Sequence, residues 1–233
     1  MTKLNKFIAE SGICSRRNAT DLIKSEQVTV NGAIVREPFY EVLPTDAVKV
    51  RNKLILHQER KLYFLFNKPE DVITTSSDPE DRTTIMHFFK RVKERVYPVG
   101  RLDRNTTGLI VVTNDGDLAQ KLSHPKFNVS KTYYVTTHKP VTLAHQQSLL
   151  TGVKLEDGIA KVDKINTRTR KKNTIAVTIH SGKKHIVKRI FTKLRYFVEK
   201  LDRVKFATLT KQGLPLGAYR ALSQEEVDDL KNL

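Results

Sequence analysis

Asp103 stands between two arginines, Arg101 and Arg104, in VGRLDRNTTGLIVVTNDGDLAQKL, residues 99–122. A lone carboxylate among cations suits a group that must stay ionised away from bulk water. Burial raises a carboxyl pKa, and a cation within about 4–6 Å lowers it again. The apolar run LIVVT that follows reads as a buried strand able to fix the carboxylate in place. Tyr133 and Tyr134 are adjacent in KTYYVTT, so on a strand they face opposite sides. Further along, HSGKKHIVKRIFTKLR carries Ile186, Val187, Ile190, Phe191 and Leu194 as one helical apolar stripe, with Lys188 and Arg189 emerging beside it. Spacing alone leaves Lys188 open between a snorkelling surface lysine and a catalytic one.

Other chemistries find no footing. His124, His180 and His185 lack ligand spacing of the HExxH kind, and Cys14 is the only cysteine, so neither a metal site nor an intrachain disulfide is expected. There is no GxGxxG or Walker-type loop and no GxSxG elbow, so no nucleotide cofactor or serine-hydrolase chemistry is expected.

The chain of 233 residues carries 42 Lys and Arg against 25 Asp and Glu, a formal charge of +17. Such an excess favours a polyanion partner, because neutralising phosphates releases counterions. A membrane is a poor candidate: the longest apolar runs, LYFLF and LIVV, are far too short to span one. MTKLNKFIAESG lacks a secretory core, so the cytoplasm is the expected location. In CSRRNATDLIK, Arg16, Arg17 and Lys24 lie on or beside one helix, and either grip phosphates or form an ordinary solvated face. TRTRKKN, residues 167–173, reads as an exposed hairpin tip whose charge leans towards RNA contact.

The first segment reads as a small helix-helix-hairpin module. Leu4, Phe7 and Ile8 share one helical face, with Gly12 as the stop; Ser15 caps a second helix with Ala19, Leu22 and Ile23 on its apolar side. QVTVNGAIV turns at Asn31-Gly32, and AVKV adds a strand. Polarity rises over LHQERK, which sets the expected domains at residues 1–58 and 59–233. The second part mixes strands (LYFLF, LIVVT, KTYYVTT, TIAVTIH) with helices over residues 84–95, 116–123, 142–150 and 184–194 and at the C-terminus, where Ser223 and Glu226 form a capping box. Strands are not regularly followed by helices. The expected class is therefore α+β: a mixed, largely antiparallel sheet with flanking helices.

The long stretch GRLDRNTTGLIVVTNDGDLAQKLSHP resembles the signature of ribosomal RNA pseudouridine synthases of the small-subunit-synthase-A family. The likeness continues in KTYYV, SGKKHIVKRIF and VEKLDRV, and is anticipated by FNKPEDVITT around Lys68 and Pro69. LNKFIAESGICSRRNATDLIKSEQVTVNG resembles the small RNA-binding domain of ribosomal protein S-four type that these enzymes carry. The resemblance implies Asp103 as the catalytic aspartate, Tyr133 as the tyrosine that stacks on the target uracil, and Lys188 as the basic partner of the aspartate. It implies Leu201 as a pocket leucine and Arg101 as the arginine that helps hold the RNA open. Arg16, Arg17, Lys24, Lys68, Arg104 and Arg189 are the expected RNA contacts. Two positions depart from the family pattern: Ile186 stands where glutamine is common, and KFATL replaces the usual Ile-Gly pair near residue 206.

The implied reaction breaks the uridine N1–C1′ bond, turns the uracil and rejoins it through C5. It needs no redox change and no group donor, in keeping with the missing cofactor motifs. Glycosidases use two carboxylates; here the leaving uracil delocalises its own charge, so one can suffice. Attack at C1′ and removal of a sugar proton both remain open for Asp103. The implied partner is ribosomal RNA, free or partly assembled into a subunit, with a lean to the large subunit from GLPLGAYRAL. A catalytically inactive RNA-binding assembly factor and a tRNA-directed synthase are the alternatives.

Overall fold

The computed structural model describes residues 1–56, 60–76, 78–167, 169 and 171–233. The chain divides into two units: Met1–Leu62 with Val92–Val96 and Asn114–Gly116, and Tyr63–Arg91 with Tyr97–Thr113 and Asp117–Leu233. The boundary expected between residues 58 and 59 lies outside the described residues, as do Arg168 and Arg170 of the basic tip.

In the first unit, helix α1 (Leu4–Glu10) buries Leu4 and Ile8. Helix α2 (Arg16–Lys24) starts where the Ser15 side chain accepts the Asn18 amide, and it buries Ala19 and Ile23. Strands β1 (Val28–Val30) and β2 (Ala33–Ile34) form the expected hairpin. Its turn residues Asn31 and Gly32 have φ of +52° and +86°, the two positive values that a type I′ turn requires. Strands β3 (Val48–Val50) and β4 (Lys53–Leu54) complete a four-stranded antiparallel sheet. Leu4, Ile8, Ala19, Ile23 and Val28, all fully buried, join the two helices to that sheet.

The large sheet of the second unit has nine strands among the described residues: β5 (Tyr63–Lys68), β6 (Tyr97–Pro98), β7 (Thr106–Thr113), β8 (Lys131–Thr137), β9 (Lys164–Asn166), β10 (Thr174–Ile179), β11 (Val198–Phe206), β12 (Leu209–Thr210) and β13 (Tyr219–Ala221). Seven run in the order β9-β10-β8-β11-β7-β5-β13, with β6 on β7 and β12 on β11. All these pairs are antiparallel except β7 with β11, which is parallel. The helices are α3 (Gly116–Ser123), α4 (Leu143–Thr151), α5 (Ile186–Lys193) and α6 (Gln224–Lys231), the last opened by the Ser223–Glu226 capping box. The mixed, largely antiparallel α+β class is the one the patterning implied.

Leu109, Ile110, Val111 and Val112 in β7 are all fully buried, so both faces of this central strand are covered. That is why its sequence is a continuous apolar run and not an alternation. One face packs with Leu118, Leu122 and Phe206. On the β5 strand beside it, Phe66 meets Phe88 and Phe89 at centroid distances of 4.9 and 5.7 Å. The helix expected over residues 84–95 shrinks to a 3-10 segment, Ile85–Phe89. Neighbours on an α-helix diverge by roughly 100°, whereas Phe88 and Phe89 both pack on Phe66. Tertiary packing overrides the helical period there.

Candidate active site

The loop from Val99 to Asn105 carries Asp103 into the N-terminal end of β7, and it is fixed from both sides. The Thr74 hydroxyl donates to the Leu102 carbonyl (2.8 Å) and accepts from the Leu102 amide (3.2 Å). Beyond the aspartate, the Arg104 carbonyl accepts from the Asp71 amide (3.0 Å) and the Lys68 ammonium (3.2 Å). Within the loop, the Thr106 amide donates to the Asp103 carbonyl at 3.0 Å. The carboxylate is thus held by its own backbone before any substrate arrives.

Lys68 is fully buried, and its ammonium also donates to the carbonyls of Pro69 and Val72, each at 2.8 Å. Burial lowers its pKa from the usual 10.5 to about 8, against the pull of the Asp103 charge, which raises it. The expected RNA contact at Lys68 is therefore corrected. An ammonium enclosed by three carbonyls cannot reach a phosphate; it braces the Asp103 loop.

The Asp103 side chain is about one-third exposed, with Oδ1 3.1 Å from His185 Nε2 and Oδ2 3.5 Å from Lys188 Nζ. Lys188 is on the first turn of α5, and His185 is the residue that precedes the helix, in a left-handed conformation with φ of +52°. The left-handed turn at His185 and the first turn of α5 bring the two side chains to one carboxylate together. His185 escaped sequence reasoning, which weighed it only as a metal ligand. No periodic signal marked it, because its left-handed backbone lies outside the helix.

Asp103 opens onto a cavity of about 250 Å³ lined also by Arg101, Tyr133, Ile186, Leu201, Phe206 and Arg203. Asp103 is its only acidic residue among the described residues. Tyr133 is buried at 8% exposure and Tyr134 is exposed at 44%, the opposite facing that a strand imposes. The pairing of β8 with β11 slips between Thr132 and Tyr133, placing Tyr133 opposite Arg203. Such a bulge re-aims a side chain, a common device beside active sites. Where β11 runs parallel to β7, Arg203 pairs with Gly108. A Cβ on Gly108, whose φ is +113°, would lie 2.3 Å from the Arg203 carbonyl oxygen. Only glycine permits that approach.

Arg203, 2% exposed, is the second residue that sequence reasoning missed. Its Nε donates to the Leu109 carbonyl at 2.6 Å, and Nη1 lies 3.5 Å from the Tyr133 hydroxyl. A buried arginine in a strand carries no sequence mark that separates it from a surface one. Lys131 lines the same cavity, donating to the carbonyls of Val129 and His180, and burial followed by the Arg203 charge lowers its pKa to about 8.

The remaining expected contacts divide. Arg101 is exposed and lines the cavity. Arg104 donates from Nε to Asp71 at 3.0 Å, so the neighbour expected to keep Asp103 charged is engaged with another carboxylate. Arg189 forms a two-point pair with Asp157, which holds that carboxyl down at about 2. Arg16, Arg17 and Lys24 are exposed on α2.

A mixed sheet here presents one braced carboxylate, flanked by a lysine and a histidine, to a cavity with a tyrosine in its wall, an arrangement in which the carboxylate can act as nucleophile or base on a bound group. The RNA pseudouridylate synthase family model matches residues 62–193, and the S4 domain model matches residues 2–48. The chain belongs to the RNA pseudouridylate synthase family, with an S4 domain at its N-terminal side. It is 40% identical over 238 residues to ribosomal large subunit pseudouridine synthase B of Bacillus subtilis (strain 168), a match covering 100% of this chain and 97% of that one. It is 35% identical to the dual-specificity RNA pseudouridine synthase RluF of Escherichia coli (strain K12), covering 99% of this chain and 79% of the relative. A solved pseudouridylate synthase superposes with a TM-score of 0.70 at 31% identity, over 99% of this chain and 100% of that one.

Proposed function

We propose that the chain isomerises a uridine of ribosomal RNA to pseudouridine, with Asp103 as the catalytic carboxylate. The observation that carries the reading is Asp103 itself: one braced acid, 3.5 Å from Lys188 and 3.1 Å from His185, at a cavity walled by Tyr133. Ribosomal RNA as substrate, and the large subunit in particular, are supported by the name of the Bacillus relative. A ribosomal substrate in turn makes the cytoplasm its place of work. Among the described residues no helix is long and apolar enough to cross a membrane.

The chemistry follows from the site. The target uridine leaves its stack at a cost of a few kcal/mol, and Tyr133 stacking on the base returns roughly 1–3 kcal/mol. Leu201 packs beside the base, and Arg101, at the cavity and exposed, holds the RNA open. The N1–C1′ bond breaks with its electron pair on the uracil. Asp103 either takes C1′ or removes a sugar proton, with His185 and Lys188 set against its two oxygens. After the base turns, C5 bonds to C1′ and gives up its proton while N1 gains one, so atoms balance. Arg16, Arg17 and Lys24 grip RNA phosphates from the S4 domain.

Asp103→Asn decides the matter. Pseudouridine formation on ribosomal RNA fragments should vanish while affinity for the fragment stays within a few-fold. Turnover equal to that of the unaltered chain would refute the assignment. Loss of the gene should remove one pseudouridine from the ribosomal map, whereas a binding factor without activity would leave every site modified.

A further inference from the structure

Among the described residues, Arg203 is a buried cation with no carboxylate paired to it. At 2% exposure its guanidinium has one good hydrogen bond, to the Leu109 carbonyl, and a long one to Tyr133. Its Nη2 has no partner among the described residues, and no carboxylate lies within ion-pair distance. Buried guanidinium nitrogens are normally satisfied, and an unpaired buried charge is strongly unfavourable. Arg203 lines the cavity into which Asp103 opens, with Phe206 against its plane at 5.0 Å. The one acid of that cavity is already engaged by His185 and Lys188. Lys131 lines it too, so positive potential is left over where no resident group consumes it.

An anion does arise there during the proposed reaction, and this inference rests on that reading. When N1–C1′ breaks, the bonding pair stays with the base, and the charge spreads over the ring nitrogens and the carbonyl oxygens. The geometry points to Arg203 as the group that offsets this charge: its guanidinium, buried in the cavity wall and not neutralised by any carboxylate among the described residues, sets a positive field on the departing uracil. A neutral uracil gains little from the guanidinium and its anion gains much more, which is the difference that accelerates a step. The root of the side chain is held by Leu109 and by the approach of the Arg203 backbone to Gly108, so little reorganisation is needed as charge develops.

The test uses the full chain with Arg203→Lys and Arg203→Gln, each in single turnover on two ribosomal RNA fragments. One fragment carries uridine at the target and the other 5-fluorouridine, whose electron-poor base bears negative charge more readily. With uridine the rate should fall roughly 100- to 1,000-fold for Arg203→Gln, the loss typical of removing one group set to stabilise a developing anion, and less for Arg203→Lys, which keeps the charge. With 5-fluorouridine, followed by its disappearance from nuclease digests, the fall should be at least tenfold smaller. The ratio of the two rates is unaffected by any fraction of misfolded protein, so a merely structural role for Arg203 predicts equal falls. Equal falls, or rates within threefold of the unaltered chain, would overturn the role of Arg203 while leaving the isomerase reading intact. An unaltered chain that makes no pseudouridine in any fragment would bring down both.

Discussion

Replacing Lys68 by methionine tests whether a buried cation shapes the Asp103 loop. Methionine keeps the unbranched stem but removes the ammonium from the carbonyls of Pro69, Val72 and Arg104. Hydrogen bonds from a charged donor contribute about 1.5–3 kcal/mol each, so three give roughly 4.5–9 kcal/mol. Against this stands the cost of burying the charge. A pKa lowered from 10.5 to about 8 corresponds to roughly 3 kcal/mol. The net loss should be about 2–4 kcal/mol once partial rehydration of the carbonyls is allowed for, and calorimetry should show a Tm lower by roughly 5–15 °C. The Arg104 carbonyl follows Asp103 directly, so kcat should fall about 10- to 100-fold through misplacement of the carboxylate.

The pH dependence has a definite sign. Below pH 8 Lys68 is protonated in both states, and its burial penalty is fully present. Between about 8 and 10.5 the folded chain releases the proton while the unfolded chain keeps it, so folding stability gains with rising pH. Urea titrations of the unaltered chain against Lys68→Met should show the gap changing across that window and flat below it. Lys131, also lowered to about 8, is present in both proteins and cancels. A Tm within 2 °C of the unaltered chain (about 0.5–1 kcal/mol), with unchanged kcat, would refute the bracing role.

Gly108→Ala should abolish soluble folding of the second unit or cost at least about 3 kcal/mol, read by expression and urea melts, since its Cβ would meet the Arg203 backbone at 2.3 Å. His185→Ala and Lys188→Met should each lower kcat about tenfold, and the double variant more than the product of the two, because either partner alone still holds one Asp103 oxygen; simple multiplicativity in single-turnover assays would show that they act separately. Charge reversal of Arg16, Arg17 and Lys24 together should flatten the salt dependence of RNA affinity and leave saturated kcat unchanged; an unaltered slope would assign these residues to a solvated face.

Much of the architecture was legible because local chemistry enforces it. Asn31-Gly32 turns the hairpin since both positions need positive φ, Ser15 and Ser223 start helices by capping amides, and the alternation in KTYYVTT places Tyr133 and Tyr134 on opposite faces. The unbroken apolar run of β7 announced a strand covered on both sides. The helix expected over residues 84–95 failed because Phe88 and Phe89 answer to Phe66, more than twenty residues away in sequence, and a periodic pattern cannot register that pull.

The sequence by itself determined which residue types were available and which short-range conformations they favour: a carboxylate before a buried strand, a tyrosine pair, a helix bearing Lys188. The tertiary structure alone decided which charges meet. It turned Lys68 inward, gave Arg104 to Asp71 and Arg189 to Asp157, and set His185 on Asp103. It also enclosed Arg203 without a matching anion. Local propensity depends on neighbours in the chain, whereas electrostatic energy depends on distance and on exclusion of water, and both of those exist only once the strands have paired.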